Sequence, residues 1–158
     1  MFLRTFGRLA VISTMACGAS HPPPVAPVTP PRPKLQLAVI PAESDAFPDA
    51  ARAISRSLAA AKLRGVDQTR VSKASLEVVQ LSIECVDATA VCYEAIGRSL
   101  AVNRLLFARI DGARRRLKVT ITLYDVDAKA VTRTRVREFA TEDAATAGAD
   151  ALVAEVTR

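Results

Sequence analysis

The spacing of apolar residues along the chain predicts an initial strand followed by a helix. An apolar run over residues 35–40 stops at Pro41, which is typical of a short buried strand. A helix is predicted next, because Pro48 suits a first turn and Gly65 suits a C-terminal stop. Its apolar residues recur every three or four positions: Phe47, Ala50, Ala51, Ile54, Leu58 and Ala61.

The same helical spacing continues through the middle of the chain after a weaker extended segment at residues 66–71. Ser72 is predicted to cap a helix that runs to about Ile83. A further helix contains Cys92 and ends near residue 102. Asp87 and Thr89 are the two candidates for its N-terminal cap, since both side chains accept hydrogen bonds from free helical amides.

Beyond residue 102 the apolar period changes from 3.6 to 2, which predicts three strands at residues 105–110, 117–124 and 130–139. Asp111-Gly112 is a strong hairpin signal for the first turn, and residues 127–129 provide the second. Thr141 is predicted to cap a last helix. One face of that helix carries Ala145, Ala149, Leu152, Val153 and Val156.

The element order is therefore β-α-β-α-α-β-β-β-α. This order predicts an α/β fold (α+β mixed sheet) in which helices pack against the sheet.

The N-terminus has the pattern of an export signal followed by a tether. Residues 1–16 place Arg4 and Arg8 before an apolar stretch without acidic residues, and this stretch is shorter than the roughly 20 residues that span a bilayer. Residues 17–33 begin with Cys17, and seven of the nine prolines follow it. Such a segment forms a semi-rigid spacer that reaches roughly 50 Å. Residues 34–158 remain for the globular domain.

Thr14-Met15-Ala16-Cys17-Gly18 resembles the lipobox of bacterial lipoproteins. The resemblance implies that Cys17 is acylated, becomes the mature N-terminus and anchors a periplasmic protein to a membrane. Gly18 stands where an Asp commonly signals retention in the inner membrane, so the outer membrane is favoured. The alternative is an ordinary secreted protein that is cleaved near Ala16 or Ala19.

If Cys17 carries lipid, Cys85 and Cys92 remain as a pair in an oxidising compartment. Seven residues along one helix separate Cα atoms by about 10.5 Å, whereas a disulfide needs roughly 4.4 to 6.8 Å. A bridge therefore requires a turn between the two predicted helices, and the alternative is two buried free thiols. The only histidine, His21, lies in the tether, so no zinc site or other cofactor is expected.

Four segments of the domain are similar in order and spacing to the N-terminal domain of TolB: residues 37–41, the Cys85 and Cys92 pair with residues 96–100, residues 104–110 and residues 123–126. This resemblance implies an α/β module that binds proteins inside the cell envelope. A lipidated cysteine joined to such a domain by a proline-containing linker also resembles the outer-membrane activators of penicillin-binding proteins. We therefore expect a non-enzymatic interaction module whose partner is another envelope protein.

Two other functions are considered from the charged residues. Glu43, Asp45 and Asp49 follow the first strand, where paired carboxylates could serve a small hydrolase as acid and base. The simpler interpretation is that they favour the positive end of the helix that starts near residue 47. No glycine-rich phosphate loop is present.

The second function is an adaptor for an anionic envelope polymer or membrane surface. The chain has 22 Lys and Arg against 16 Asp and Glu. Basic residues concentrate in the first hairpin and the last strand: Arg114, Arg115, Arg116, Lys118, Arg133, Arg135 and Arg137. They would attract lipid headgroups, lipopolysaccharide or cell-wall polymer. Nucleic acid is not expected, because an aromatic stacking platform is missing. Alternatively, these charges protect an edge strand from aggregation.

Overall fold

The computed structural model describes residues 34–85, 87–113 and 116–158. The predicted export signal, Cys17, the tether, Arg114 and Arg115 lie outside these residues. Within them, the elements follow the predicted order. The strands are β1 (Gln36–Ile40), β2 (Gln68–Val71), β3 (Arg104–Ala113), β4 (Arg116–Asp125) and β5 (Ala130–Phe139). The helices are α1 (Pro48–Ala60), α2 (Leu76–Ser82), α3 (Ala90–Ser99) and α4 (Glu142–Thr157).

The five strands form one mixed sheet in the order β2-β1-β3-β4-β5. β1 is parallel to both of its neighbours, while β3, β4 and β5 are antiparallel. The predicted fold class is confirmed. The path from β1 to β2 runs in the opposite direction from the path from β2 to β3. Crossovers of the same hand therefore place their helices on opposite faces of the sheet.

The two faces of β1 enter two different hydrophobic clusters. Leu37 and Val39 are fully buried in the cluster beneath α1 and α4. Ala38 and Ile40 are buried in the cluster beneath α2 and α3. The run of consecutive apolar residues in β1 is explained by this position, because a strand covered on both faces needs no alternation.

Several predicted local features are confirmed. Thr89 caps α3 and Thr141 caps α4, each accepting a hydrogen bond from the amide three residues later, at 3.3 Å and 3.2 Å. β5 has the predicted bounds. The buried residues of α4 are the five predicted from the sequence.

Two predicted helix boundaries are wrong. α1 ends at Ala60 because Ala61 is already extended, and Gly65, with φ of 79°, belongs to the turn that follows. Ser75 rather than Ser72 caps α2. The Ser72 hydroxyl instead accepts from the amide of Ala74 and donates to its carbonyl, so it stabilises a local turn before the helix.

The predicted position of the first hairpin turn is also wrong. Asp111 and Gly112 pair with Lys118 and Leu117 inside the ladder, so the chain reverses between Ala113 and Arg116. A Cβ atom on Gly112 would lie 2.9 Å from the Cα of Leu117. The glycine therefore permits a close approach of the two strands just before the turn, and does not form the turn itself.

Glu142 joins the starts of two helices that are far apart in sequence. No side chain caps α1 at Phe47. Instead, Glu142 in the first turn of α4 accepts hydrogen bonds from the amides of Asp49 and Ala50, at 2.7 Å and 3.0 Å. A carboxylate at this place also favours the positive end of the α1 dipole. α1 and α4 are thereby fixed side by side on one face of the sheet.

We predict that Glu142→Ala lowers the free energy of unfolding by about 1 to 2 kcal/mol, because two amides at the start of α1 lose their acceptor. Urea denaturation measures this difference. Asp143→Ala is the matched control, since it removes the same charge from the same turn of α4. Equal losses in the two variants would contradict the proposed cap.

Candidate functional site

A disulfide joins the end of α2 to the start of α3. Cys85 and Cys92 are bridged, and their Cα atoms are 5.6 Å apart. The chain makes the turn that this geometry requires just after α2, where Glu84 has φ of 54°. The Cys85 amide also donates to the carbonyl of Gln80 at 2.8 Å. The disulfide therefore links helices α2 and α3 covalently as one unit.

The inner side of this unit packs on the sheet through aromatic rings. The Tyr93 ring lies 4.9 Å from that of Phe107 and 5.3 Å from that of Tyr124, measured between centroids. The Tyr124 hydroxyl donates to the carbonyl of Ala90 at 3.0 Å. Burial, with smaller contributions from Glu94, Asp125 and Tyr93, raises the pKa of Tyr124. The hydroxyl therefore remains a hydrogen-bond donor at neutral pH.

Helices α2 and α3 each expose apolar side chains to solvent. Val78, Leu81 and Val91 are 51%, 73% and 75% exposed. They account for three of the six large hydrophobic side chains that are exposed within the described residues. Val78 and Leu81 are three residues apart in α2 and therefore share one side of that helix. We call these three residues the α2–α3 surface.

The arginines of β5 lie on the face of the sheet that α4 covers. Arg133, Arg135 and Arg137 alternate along this edge strand and pair with core positions of β4. Arg133 donates to the carbonyls of Val156, at 3.3 Å, and of Arg158. Arg135 and Arg137 both form ion pairs with Glu155. All three guanidinium groups thus form hydrogen bonds or ion pairs with the C-terminal part of α4.

The two described basic residues of the first hairpin do not join that row. Arg116 and Lys118 lie on the opposite face of β4, since they alternate with the buried Leu117. The cross-strand neighbours of Lys118 are two acidic residues, Asp111 and Glu138. The structure therefore divides the described basic residues between two faces of the sheet.

The acidic loop lines an open cavity of about 550 Å³ at the C-terminal end of β1. Glu43 and Asp45 face this cavity, while Asp49 forms an ion pair with Arg52. Both hydroxyls in its lining bond to main-chain groups. Ser44 accepts from the Phe47 amide, and Ser55 bonds to both the amide and the carbonyl of Ala42. A hydroxyl held in this way is poorly placed to act as a nucleophile.

The part of the chain that the structure describes lacks two further kinds of feature. No group of three or more His, Cys, Asp or Glu side chains is arranged there to hold a metal ion. None of the helices found there combines the length and the apolar character needed to cross a bilayer.

Comparisons with known proteins show likenesses only among solved structures. No protein-family model matches the chain, and no curated protein matches it. The C-terminal domain of LpoB from Salmonella enterica is 15% identical, with a TM-score of 0.43 over 66% of this chain and 82% of that one. The PelC dodecamer from Paraburkholderia phytofirmans is 18% identical, with a TM-score of 0.40 over 78% of this chain and 86% of that one.

TolB from Acinetobacter baumannii is 14% identical, with a TM-score of 0.39 over 75% of this chain and 26% of that one. TolB and LpoB, the latter an activator lipoprotein of the kind named above, are thus both among the similar structures. The predicted resemblance is confirmed. At these identities and TM-scores the resemblance does not indicate the function of this chain.

Sequence reasoning missed the α2–α3 surface, although α2 does carry a signal for it. Leu76 and Val79 of this short helix are buried, while Val78 and Leu81 are exposed. The helix is therefore apolar on two sides, whereas a surface helix normally has one apolar stripe. The second apolar side indicates a surface that could contact another molecule.

Proposed function

We propose that this protein is a non-enzymatic envelope lipoprotein whose domain binds another protein through the α2–α3 surface. Cys17 carries the lipid, residues 18–33 are the tether, and the periplasmic domain is held near a membrane, the outer membrane being favoured. The observation that carries the proposal is the exposure of Val78, Leu81 and Val91 on a disulfide-linked pair of helices.

The energetics support a protein as the partner. Burying one exposed Val or Leu side chain contributes roughly 1.5 to 3 kcal/mol, so a few such residues can dominate an interface. A surface that is already ordered before binding loses less conformational entropy on association. The Cys85–Cys92 bridge restrains the segment that connects the two helices, and therefore restrains this surface.

The charge distribution favours a protein over an anionic polymer. Two of the three β5 arginines share Glu155, and Lys118 lies between two carboxylates across the strands. A polymer adaptor needs a continuous basic surface, because its affinity depends on the summed field of neighbouring charges. The division of the basic residues between two faces of the sheet weakens such a field.

The anchor is tested by fractionation and mass spectrometry. We expect Cys17→Ser to move the protein from the membrane fraction to the soluble fraction, because an acylated N-terminus is then no longer formed. The mature N-terminal peptide of the unsubstituted protein should begin at Cys17 and carry the added mass of a diacylglycerol. An unmodified thiol at Cys17 would contradict the proposed anchor.

The binding surface is tested by placing a photo-crosslinking amino acid at position 81 or 91 in living cells. We expect a discrete adduct with one envelope protein from both positions. The adduct formed from position 91 should fall about tenfold when Leu81→Asp is introduced, because an interface loses its central apolar contact.

Val136 is the matched control position, since it is also an exposed valine, 56% exposed, but lies on β5. A crosslinker at position 136 should give no adduct of this kind, and Val136→Asp should leave the adduct from position 91 unchanged. Adducts of equal yield from positions 91 and 136 would contradict the assignment of the surface.

A further inference from the structure

Four arginines line a cavity of about 320 Å³ at the end of the sheet where β1 and β3 begin: Arg64, Arg104, Arg133 and Arg158. The cavity is distinct from the α2–α3 surface. It lies between the turn after α1, the residue that precedes β1, the start of β3, the end of β4, the first half of β5 and the C-terminal part of α4. Its lining also includes apolar side chains, among them Leu63, Val66 and Val156.

The positive charge of this cavity is only partly neutralised. Arg104 forms an ion pair with Asp125 at 2.7 Å. Arg133 donates to the carbonyls of Val156 and Arg158, and so balances the negative end of the α4 dipole. Arg64 and Arg158 form no ion pair with any residue that the structure describes. The lining therefore has guanidinium groups available for an anion.

The combination of arginines and apolar walls indicates the chemistry of the ligand. Guanidinium groups bind phosphate oxygens through paired hydrogen bonds, and they do so more favourably where water is partly excluded. Leu63 and Val66, which are only partly buried, would contact an adjoining hydrocarbon part, which a free inorganic anion lacks. An amphiphile with a phosphate headgroup satisfies both kinds of wall, and the cavity has the volume of a small-ligand site.

The place of the cavity in the fold favours a membrane lipid as the source of that phosphate. Leu35 lines it and is held there by Asp67, whose carboxylate accepts from the Leu35 amide at 2.7 Å. Leu35 is also where the chain enters the domain from the tether. The lipid on Cys17 would keep the domain within tether reach of membrane headgroups, and this step, unlike the chemistry of the lining, rests on the proposed function.

We propose that the arginine-lined cavity binds the phosphate headgroup of an anionic phospholipid. Arg64 contacts the phosphate together with Nη2 of Arg133, because both main-chain hydrogen bonds of Arg133 use Nη1. The apolar walls contact the glycerol and the first methylenes of the acyl chains. Binding at this place would orient the domain on the membrane and leave the α2–α3 surface available to a protein.

The experiment uses the full chain carrying Cys17→Ser, so that its own lipid cannot contribute and the result does not depend on the proposed anchor. Three probes are titrated by calorimetry: dihexanoylphosphatidylglycerol below its micelle concentration, dihexanoylphosphatidylcholine, and inorganic phosphate. We expect the phosphatidylglycerol to bind most tightly. Arg64→Gln and Arg133→Gln should each weaken its binding about tenfold or more, as loss of a charged hydrogen bond does.

Arg135→Gln is the matched control, because Arg135 lies on the same strand but does not line the cavity. It should leave the affinity unchanged. Arg64 lies in an exposed turn, so Arg64→Gln keeps the test valid if Arg133→Gln affects folding. Equal affinity for phosphatidylcholine, equal affinity for inorganic phosphate, equal weakening by Arg135→Gln, or no binding of any probe would each overturn the proposal.

Discussion

The parallel pairing of β1 with strands on both of its edges is the interaction on which the rest of the structure depends. Each of its residues from 37 to 40 is at most 3% exposed, and the strand supplies side chains to both hydrophobic clusters. A helix can be placed on either face only because this strand is apolar on both. The α1–α4 layer and the α2–α3 layer are therefore joined through β1 and its neighbour β3, which also supplies side chains to both clusters.

The two helical layers are stabilised by different means. α1 and α4 are joined by the Glu142 cap and by a large shared cluster. α2 has only seven residues, too few for a helix that is stable by itself. Its connection to α3 is closed by the disulfide, and closure of a loop of this length contributes about 2.5 kcal/mol. The bridge thus compensates for a weak helix and keeps its exposed apolar side in place.

Sequence patterns predicted those parts of the fold that depend on local chemistry. The buried face of α4, its Thr141 cap and the bounds of β5 follow from periodicity and capping, and all three are found. The prediction of a turn at Asp111-Gly112 was wrong because β3 pairs with β4 for three residues beyond its predicted end at Ile110. The described basic residues do not share one face, because Arg116 and Lys118 alternate with the β4 positions that pair with Arg133, Arg135 and Arg137.

The candidate sites also differ in whether local sequence could predict them. The Cys85–Cys92 bridge was accessible to sequence reasoning, because parity, spacing and a turn all bear on it. The arginine-lined cavity was not, since its four arginines come from four separate parts of the chain. Only the packing of α4 and the turn after α1 against the sheet brings them together.

β1 stabilises the sheet, and the disulfide fixes the α2–α3 surface that this sheet carries. Amide hydrogen exchange of the full chain, with the bridge intact and after reduction, tests this claim most directly. The account predicts that reduction accelerates exchange in residues 76–99 and leaves β1, β3 and β4 protected, while a Cys85→Ala, Cys92→Ala variant does not respond to the reductant. Equal acceleration in β1, or an unchanged α2–α3 segment, would contradict it.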